Sequence, residues 1–318
     1  MTRRSAAVAL WLLAPAACFG GGKVGALEVR ILSTMLTGDQ GYGEWGFAAL
    51  VVADGHRILF DTGAHPDTVL RNARELHVDL SNVPDVILSH HHLDHTAGLV
   101  TLRREYAKAN PAALAKAHVG EGIFASRTDG GPREANAMIG FKGEYQGAGG
   151  EFIEYGKARE IYPGVWLTGP VPRKYPEKNW NPGRMLRLAG GQTIEDNLPE
   201  DQSLVIDTDK GLVVISGCGH AGIVNTLEYA RAKVRQAPVY AALGGFHLYQ
   251  ANDETLAWTA AKLKEFGVQD FLGAHCTGIE AVYRLRQLVG LDRKTAAVGA
   301  VGGGFTLAQG LDPGSIAR

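Results

Sequence analysis

The chain has 318 residues, 45% of them hydrophobic and 20% charged, a composition that excludes a disordered polymer or a coiled coil. Its formal net charge is −1, so nothing basic enough to track a phosphate backbone stands out and no nucleic-acid partner is expected. Glycine accounts for 42 residues, well above the roughly 7% of ordinary chains, and predicts many tight turns and loops.

Arg3 and Arg4 precede an almost uncharged stretch from Ala6 to Gly22, followed by Lys23 and the small residues Val24, Gly25 and Ala26. This is the layout of a secretory signal peptide over residues 1–26, cleaved after Ala26. A membrane anchor needs about 20 apolar residues, and Pro15 interrupts a run that is already shorter. The expectation is an exported protein, periplasmic or secreted, with no stable membrane anchor after cleavage. Sec and twin-arginine routes both stay open. Residues 27–318 then form one domain, made more acidic by the loss of Arg3, Arg4 and Lys23.

From Glu28 the pattern is strand-like, with Val29, Ile31 and Leu32, and residues 47–53 continue it. Asp54-Gly55 between two apolar runs is the strongest short hairpin signal, and the second run ends in Phe60-Asp61-Thr62-Gly63. A helix follows Pro66 with Val69, Ala73 and Leu76 at helical spacing. Short apolar runs then feed helices repeatedly. Val86-Ile87-Leu88 leads to a helix from Thr96, Leu212–Ile215 to one from Ala221, Val239–Leu243 to one from Asp253, and Phe271-Leu272-Gly273 to one from Ile279 that stops near Gly290. Hairpins first and strand–helix alternation later predict an α/β domain with mixed sheets covered by helices. Residues 120–150, with Phe141 and Tyr145, and 173–200, with Trp180, Arg184 and Arg187, break the rhythm. They are expected to be long loops, either functional lids or surface insertions.

Four of the 11 histidines fall in His90-His91-His92-Leu93-Asp94-His95. In extended backbone His90 and His92 face together and His91 faces away. Asp94 and His95, at the turn into the helix, reach a second point nearby. Imidazoles and a carboxylate converging in this way suit Zn²⁺ and related divalent ions. His220, His247 and His275 each follow an apolar strand, where open α/β sheets bind their ligands. His220 and His275 are candidate ligands. His247 is either a ligand or a group that hydrogen-bonds substrate or orients a ligand. Asp61 either accepts from a ligand histidine or caps its own turn. Cys218 and Cys276 lie within two residues of His220 and His275. A thiolate ligand at Cys218, a disulfide and two buried free thiols are all open.

The order Phe60-Asp61-Thr62-Gly63, Ser89-His90-His91-His92-Leu93-Asp94-His95-Thr96-Ala97-Gly98, His220 and His275 resembles the metallo-β-lactamase-fold superfamily from about residue 28 to 305. Glu200–Leu204, Gly217–Asn225, Gly244–Leu248 and His275–Gly278 resemble its branch of dihydropterin-type synthases related to methanopterin biosynthesis. The resemblance implies an αββα sandwich with a metal site at one edge of two mixed sheets. It implies His90, His92 and a third histidine on one metal, and Asp94, His95 and His275 on the other. Where many members carry a histidine and an acid, this chain has Glu200-Asp201 and Cys218. His220 is the natural replacement, and one or two Zn²⁺ per chain both remain open.

Three functions follow from these residues. The first is an exported zinc-dependent hydrolase acting on a small-molecule ester, lactone, lactam or phosphoester. Asp94 would ligate and orient the nucleophile, His247 would assist the leaving group and Arg184 would contact an anion. The second is a dihydropterin-type synthase, and the third a non-catalytic metal-binding protein. A redox di-iron centre is disfavoured because His92 stands where those proteins carry Glu.

Overall fold

The computed structural model describes residues 22–188 and 190–317. Residues 1–21, most of the expected signal peptide, lie outside them. Val24 is buried and bridged to Thr208, with its N–H donating to the Asp207 carbonyl at 2.8 Å. Cleavage after Ala26 would remove this contact. Among the described residues no helix is long and apolar enough to cross a membrane.

Two mixed sheets lie at the centre. The eight-stranded sheet contains the hairpin Ala48–Ala53 and His56–Phe60. Asp54 and Gly55 have φ of 46° and 85°, the double left-handed turn that matches strand twist. His56–Phe60, Asp85–Leu88 and Lys116–Gly120 then run parallel. In the seven-stranded sheet, Gly211–Ser216, Val239–Gly244, Asp270–Gly273 and Ala296–Val298 run parallel.

Continuous apolar runs in these strands are explained by burial on both faces. Ile87, Val213 and Ile215 enter the core between the sheets with Phe47 and Phe60. Their neighbours Val86 and Leu88 pack outward with helices α1 (Thr68–Glu75) and α3 (Leu99–Tyr106). Between those two helices comes the single turn α2 (Leu93–Thr96). On the other side, Leu212 and Val214 pack with α5 (Ile223–Lys233), α6 (Asp253–Phe266) and α7 (Ile279–Val289). Helices thus cover both outer faces, and the αββα sandwich holds.

The long-loop expectation needs correcting over 120–150. Met138–Gly147 is a helix, α4, and Tyr145 is fully buried with its hydroxyl donating to the Leu114 carbonyl at 2.5 Å. Gly140, Gly143 and Gly147 interrupt its apolar spacing on a face where an added Cβ meets nothing within 4 Å. Within 173–200 the short strands Met185–Arg187 and Thr193–Glu195 pair as a hairpin. Two helix starts also shift. The helix expected from Thr96 is split into α2 and α3, and the one expected from Ala221 begins at Ile223.

The parallel strands deliver their carboxyl ends to one edge, where the backbones crowd. A Cβ at Gly245 would sit 1.9 Å from the Gly217 carbonyl oxygen. Gly245→Ala is therefore expected to destabilise the protein by about 3 kcal/mol, since the strand ends must part. Chemical denaturation checks this, and an unchanged midpoint would contradict the close approach.

Candidate metal centre

Two groups of side chains meet at that edge. Past the strand Asp85–Leu88 the chain bends at His90 and His91, and His90 and His92 come together with ring centroids 4.6 Å apart. His220, in the loop after Gly211–Ser216, lies 4.6 Å from His90 and 5.0 Å from His92. Each of the three offers one nitrogen, and the three nitrogens lie within 4.8 Å of one another.

Their tautomers follow from their partners. The Ser89 hydroxyl donates to Asp61 Oδ2 at 2.7 Å. It must therefore accept from His90 Nδ1–H at 2.9 Å, which leaves Nε2 as a lone pair facing the cluster. His220 Nδ1–H donates to the Asn179 carbonyl with the same consequence.

The second group is Asp94, His95, Cys218 and His275, again with ligand atoms within 4.8 Å. His95 Nδ1–H donates to Asp61 Oδ2 at 2.7 Å, and its Nε2 lies 3.1 Å from Cys218 Sγ. Asp94 Oδ2 is 3.2 Å from His275 Nε2 and 3.8 Å from His95 Nε2. The groups adjoin, with the His90 and His95 rings 4.3 Å apart. Cys218 also forms a third possible set with His220 and His247.

Electrostatics keep the imidazoles of the first set ready for a cation and put the second set's histidines in ion pairs with carboxylates. Burial, then the surrounding imidazoles, pushes His90 and His92 well below the usual histidine range. His220 falls to about 3, through burial and then His247. These rings are neutral at pH 7. Burial opposes ionisation of Asp94, but His95 and His275 hold its carboxyl below the usual range. Burial would lower His275, yet Cys276 and Asp94 raise it to about 10.

His90 Nε2, His220 Nε2 and both nitrogens of His275 are buried without a hydrogen-bond partner. An unsatisfied buried polar group costs about 1–3 kcal/mol, and a cation taking the Nε2 lone pairs of His90 and His220 removes that cost, while one at His275 displaces its proton. The residues therefore fit a divalent metal. Asp61, His247 and His275 also adopt left-handed backbone, with φ of 57°, 49° and 46°, the kind of strain that collects at functional sites.

The expected residues thus assemble as two sets, His90, His92 and His220 in one and Asp94, His95 and His275 in the other. His247 stands beside the first, with its ring 4.7 Å from that of His220. Of the two readings of Asp61, accepting from a ligand histidine is the one observed. Cys218 and Cys276 are both free and buried. Their sulfurs are 3.2 Å apart, beyond the roughly 2.05 Å of a disulfide, so the disulfide reading is corrected. His91 belongs to neither set: it lines the cleft with its ring 4.6 Å from that of His92, and its Nδ1 lies 2.7 Å from Glu200 Oε1. Glu200 in turn accepts from Arg127 at 2.6 Å, and Arg127 donates to Asp196 at 2.8 Å.

A cleft of about 440 Å³ opens over the metal sets, and Arg184 lines it as expected. Trp45, His65 and Tyr249 line it too. Sequence reasoning missed these three. Trp45 lies edge-on to His275 with centroids 5.0 Å apart. None has a spacing signal, because each reaches the cleft from a loop.

A layered α/β sandwich with clustered imidazoles at the strand ends defines a class of metal-binding proteins. The sequence profile described as Metallo-beta-lactamase superfamily matches residues 45–234, and the chain belongs to that superfamily. It is 29% identical over 275 residues to the 7,8-dihydropterin-6-methyl-4-(β-D-ribofuranosyl)-aminobenzene-5′-phosphate synthase of Methanocaldococcus jannaschii, covering 82% of this chain and 90% of that one. This supports the likeness to the dihydropterin-type branch. Among solved structures, Tm1679, titled a metal-dependent hydrolase of the β-lactamase superfamily, aligns with a TM-score of 0.70 at 27% identity, over 88% of this chain and 98% of that one. YhfI of Bacillus subtilis, a metallo-β-lactamase-fold protein, shares the fold with a TM-score of 0.51 at 14% identity, over 88% and 98% of the chains.

Asp61 touches both sets, directly at His95 and through Ser89 at His90. Asp61→Asn is expected to weaken metal affinity about 10- to 100-fold, as loss of a ligand-orienting partner does. Competition against a chromophoric chelator measures it, and an unchanged affinity would contradict the anchoring role.

Proposed function

We propose that the protein is a zinc-dependent hydrolase acting on an ester, lactone, lactam or phosphoester of a small molecule. The observation that carries this is the set of buried, unpartnered nitrogens on His90, His220 and His275 beneath an open cleft. His90, His92 and His220 would hold one ion. Asp94, His95 and His275 would hold a second, with Cys218 between them. Zinc in such a site supplies a Lewis acid and makes hydroxide available near neutral pH. Soft thiolate beside imidazole and carboxylate favours zinc over magnesium or calcium.

The chain's own groups then orient the reaction. Asp94, held ionised beside His95 and His275, accepts a hydrogen from the attacking water. His247 lines the same cleft and stands where it can donate to a leaving group. The Arg184 guanidinium forms no hydrogen bond or ion pair among the described residues and is free to contact an anionic oxygen. Trp45 and Tyr249 wall the cleft.

A second reading, a dihydropterin-type synthase, is favoured by the Methanocaldococcus relative, whose likeness runs through most of both chains. It requires a phosphorylated, pterin-bearing substrate in the same cleft. We further propose export to the periplasm or outside the cell, resting on the Arg3 to Ala26 pattern.

Metal analysis of the purified chain is expected to give about one to two zinc per molecule. Hydrolysis of an ester, lactone, lactam and phosphoester panel should be lost on chelation. His90→Ala and His275→Ala should lose metal and turnover together. Zinc without turnover on any of the panel would favour the synthase. Full turnover after complete metal removal would overturn both readings.

A further inference from the structure

Helix α5, which follows His220, starts without a cap of its own. Its N-cap is Gly222, with φ of 99° and no side chain, and its first turn carries no acid. The N–H groups a helix leaves free at its start need acceptors, and a carboxylate there is favoured by the helix dipole. Glu177 supplies both from outside the helix. Its Oε1 accepts from the Val224 N–H at 3.1 Å and its Oε2 from the Asn225 N–H at 2.8 Å. A Cβ at Gly222 would lie 2.2 Å from that carboxylate, so glycine is what lets Glu177 approach.

Asn225, fully buried in the first turn of α5, holds the same segment from the helix side. Its Oδ1 accepts from the Lys174 and Tyr175 N–H groups at 2.8 and 2.7 Å. Its Nδ2 donates to the carbonyls of Tyr175 at 3.1 Å and Ala221 at 2.8 Å. Residues 174–177 are thus docked on the start of α5 by two side chains. Two residues further on, the Asn179 carbonyl accepts from His220 Nδ1–H, and Asn179 Nδ2 donates to the Gly219 carbonyl at 3.3 Å.

This matters because His220 is held differently from the histidines of the eight-stranded sheet. His90 and His95 are fixed through Asp61 and Ser89 at the strand ends. His220 Nδ1 has no partner but the Asn179 carbonyl among the described residues. The backbone beside His220 is held separately, with the Ala221 N–H donating to Asp201 Oδ2 at 2.9 Å. What the docked segment controls is therefore the ring.

We infer that Glu177 and Asn225 are positioning residues for the first metal set: they dock residues 174–179 on α5, and the docked segment holds the His220 ring with Nε2 toward His90 and His92. The inference rests on reading His90, His92 and His220 as a metal set, but the docking itself needs no metal.

Two measurements on the full chain test it. In competition against a chromophoric chelator, Glu177→Ala is expected to weaken, about tenfold, the zinc equivalent that His220→Ala removes. Glu177→Gln should recover part of that loss, since its one oxygen still accepts. In a His220→Ala background, Glu177→Ala should leave the affinity of any remaining zinc unchanged. Nitrogen-15 NMR of the chelated protein, with the His220 signal assigned from its absence in His220→Ala, reads the ring without metal. Its Nδ1 is expected to carry a protected proton in the wild type and to lose that protection in Glu177→Ala. Unchanged zinc affinity, an unchanged Nδ1–H, or equal weakening of every zinc equivalent with a lowered unfolding midpoint overturns the positioning role and leaves the metal reading standing. A wild-type chain that takes up no zinc, yet loses the protected Nδ1–H in Glu177→Ala, supports the docking and overturns the metal reading.

Discussion

A buried carboxylate must be fully hydrogen-bonded or neutral, and Asp61 is fully buried at the end of a parallel strand. It meets the demand with the Ser89 N–H, the Ser89 hydroxyl and His95 Nδ1–H, each at 2.7 Å. Those bonds fix the tautomers of His95 and, through Ser89, of His90. One carboxylate from the eight-stranded sheet thereby aims a nitrogen into each metal set. The seven-stranded sheet must come close for its own ligands to meet them. At Gly217 an added Cβ would lie 2.1 Å from Ser89 Oγ and 2.4 Å from Asp61 Oδ2. Glycine there allows the approach, and Cys218 and His220 follow immediately.

The same geometry explains what could be read from the chain. Period-two alternation groups His90 with His92 and leaves His91 out, and the structure has that grouping, although the backbone bends at His90 and His91 and His91 still lines the cleft. Strand ends in parallel sheets share an edge, so His220, His247 and His275 could be grouped although 130 residues separate His90 from His220. Asp61 was ambiguous because capping a turn and anchoring a histidine need the same residue type. Only its distance to His95 separates them.

Other parts left no local trace. Trp45, His65 and Tyr249 reach the cleft from irregular segments, where periodicity says nothing about direction. Helix α4 is hidden because three of its ten residues are glycine, so Tyr145 reads as isolated when it is a core residue. The cysteine pair lies between these extremes. Proximity followed from the two flanking histidines, but whether the sulfurs bond depends on a separation no spacing rule provides. Glu200 is placed by its partners. It neutralises Arg127 while holding His91, and His220 joins His90 and His92.

The two candidate metal sets share one cleft. The neutral imidazoles of His90, His92 and His220 gather over the strand ends, and among the described residues Arg184 has no ion-pair partner. Anomalous diffraction at the zinc edge, on crystals of the zinc-loaded full chain, tests this centre most directly. The account predicts a peak about 2.0–2.1 Å from the Nε2 atoms of His90 and His220, with a second, when filled, beside Asp94, His95 and His275. Zinc bound elsewhere, or no peak between these histidines in a loaded crystal, would contradict it.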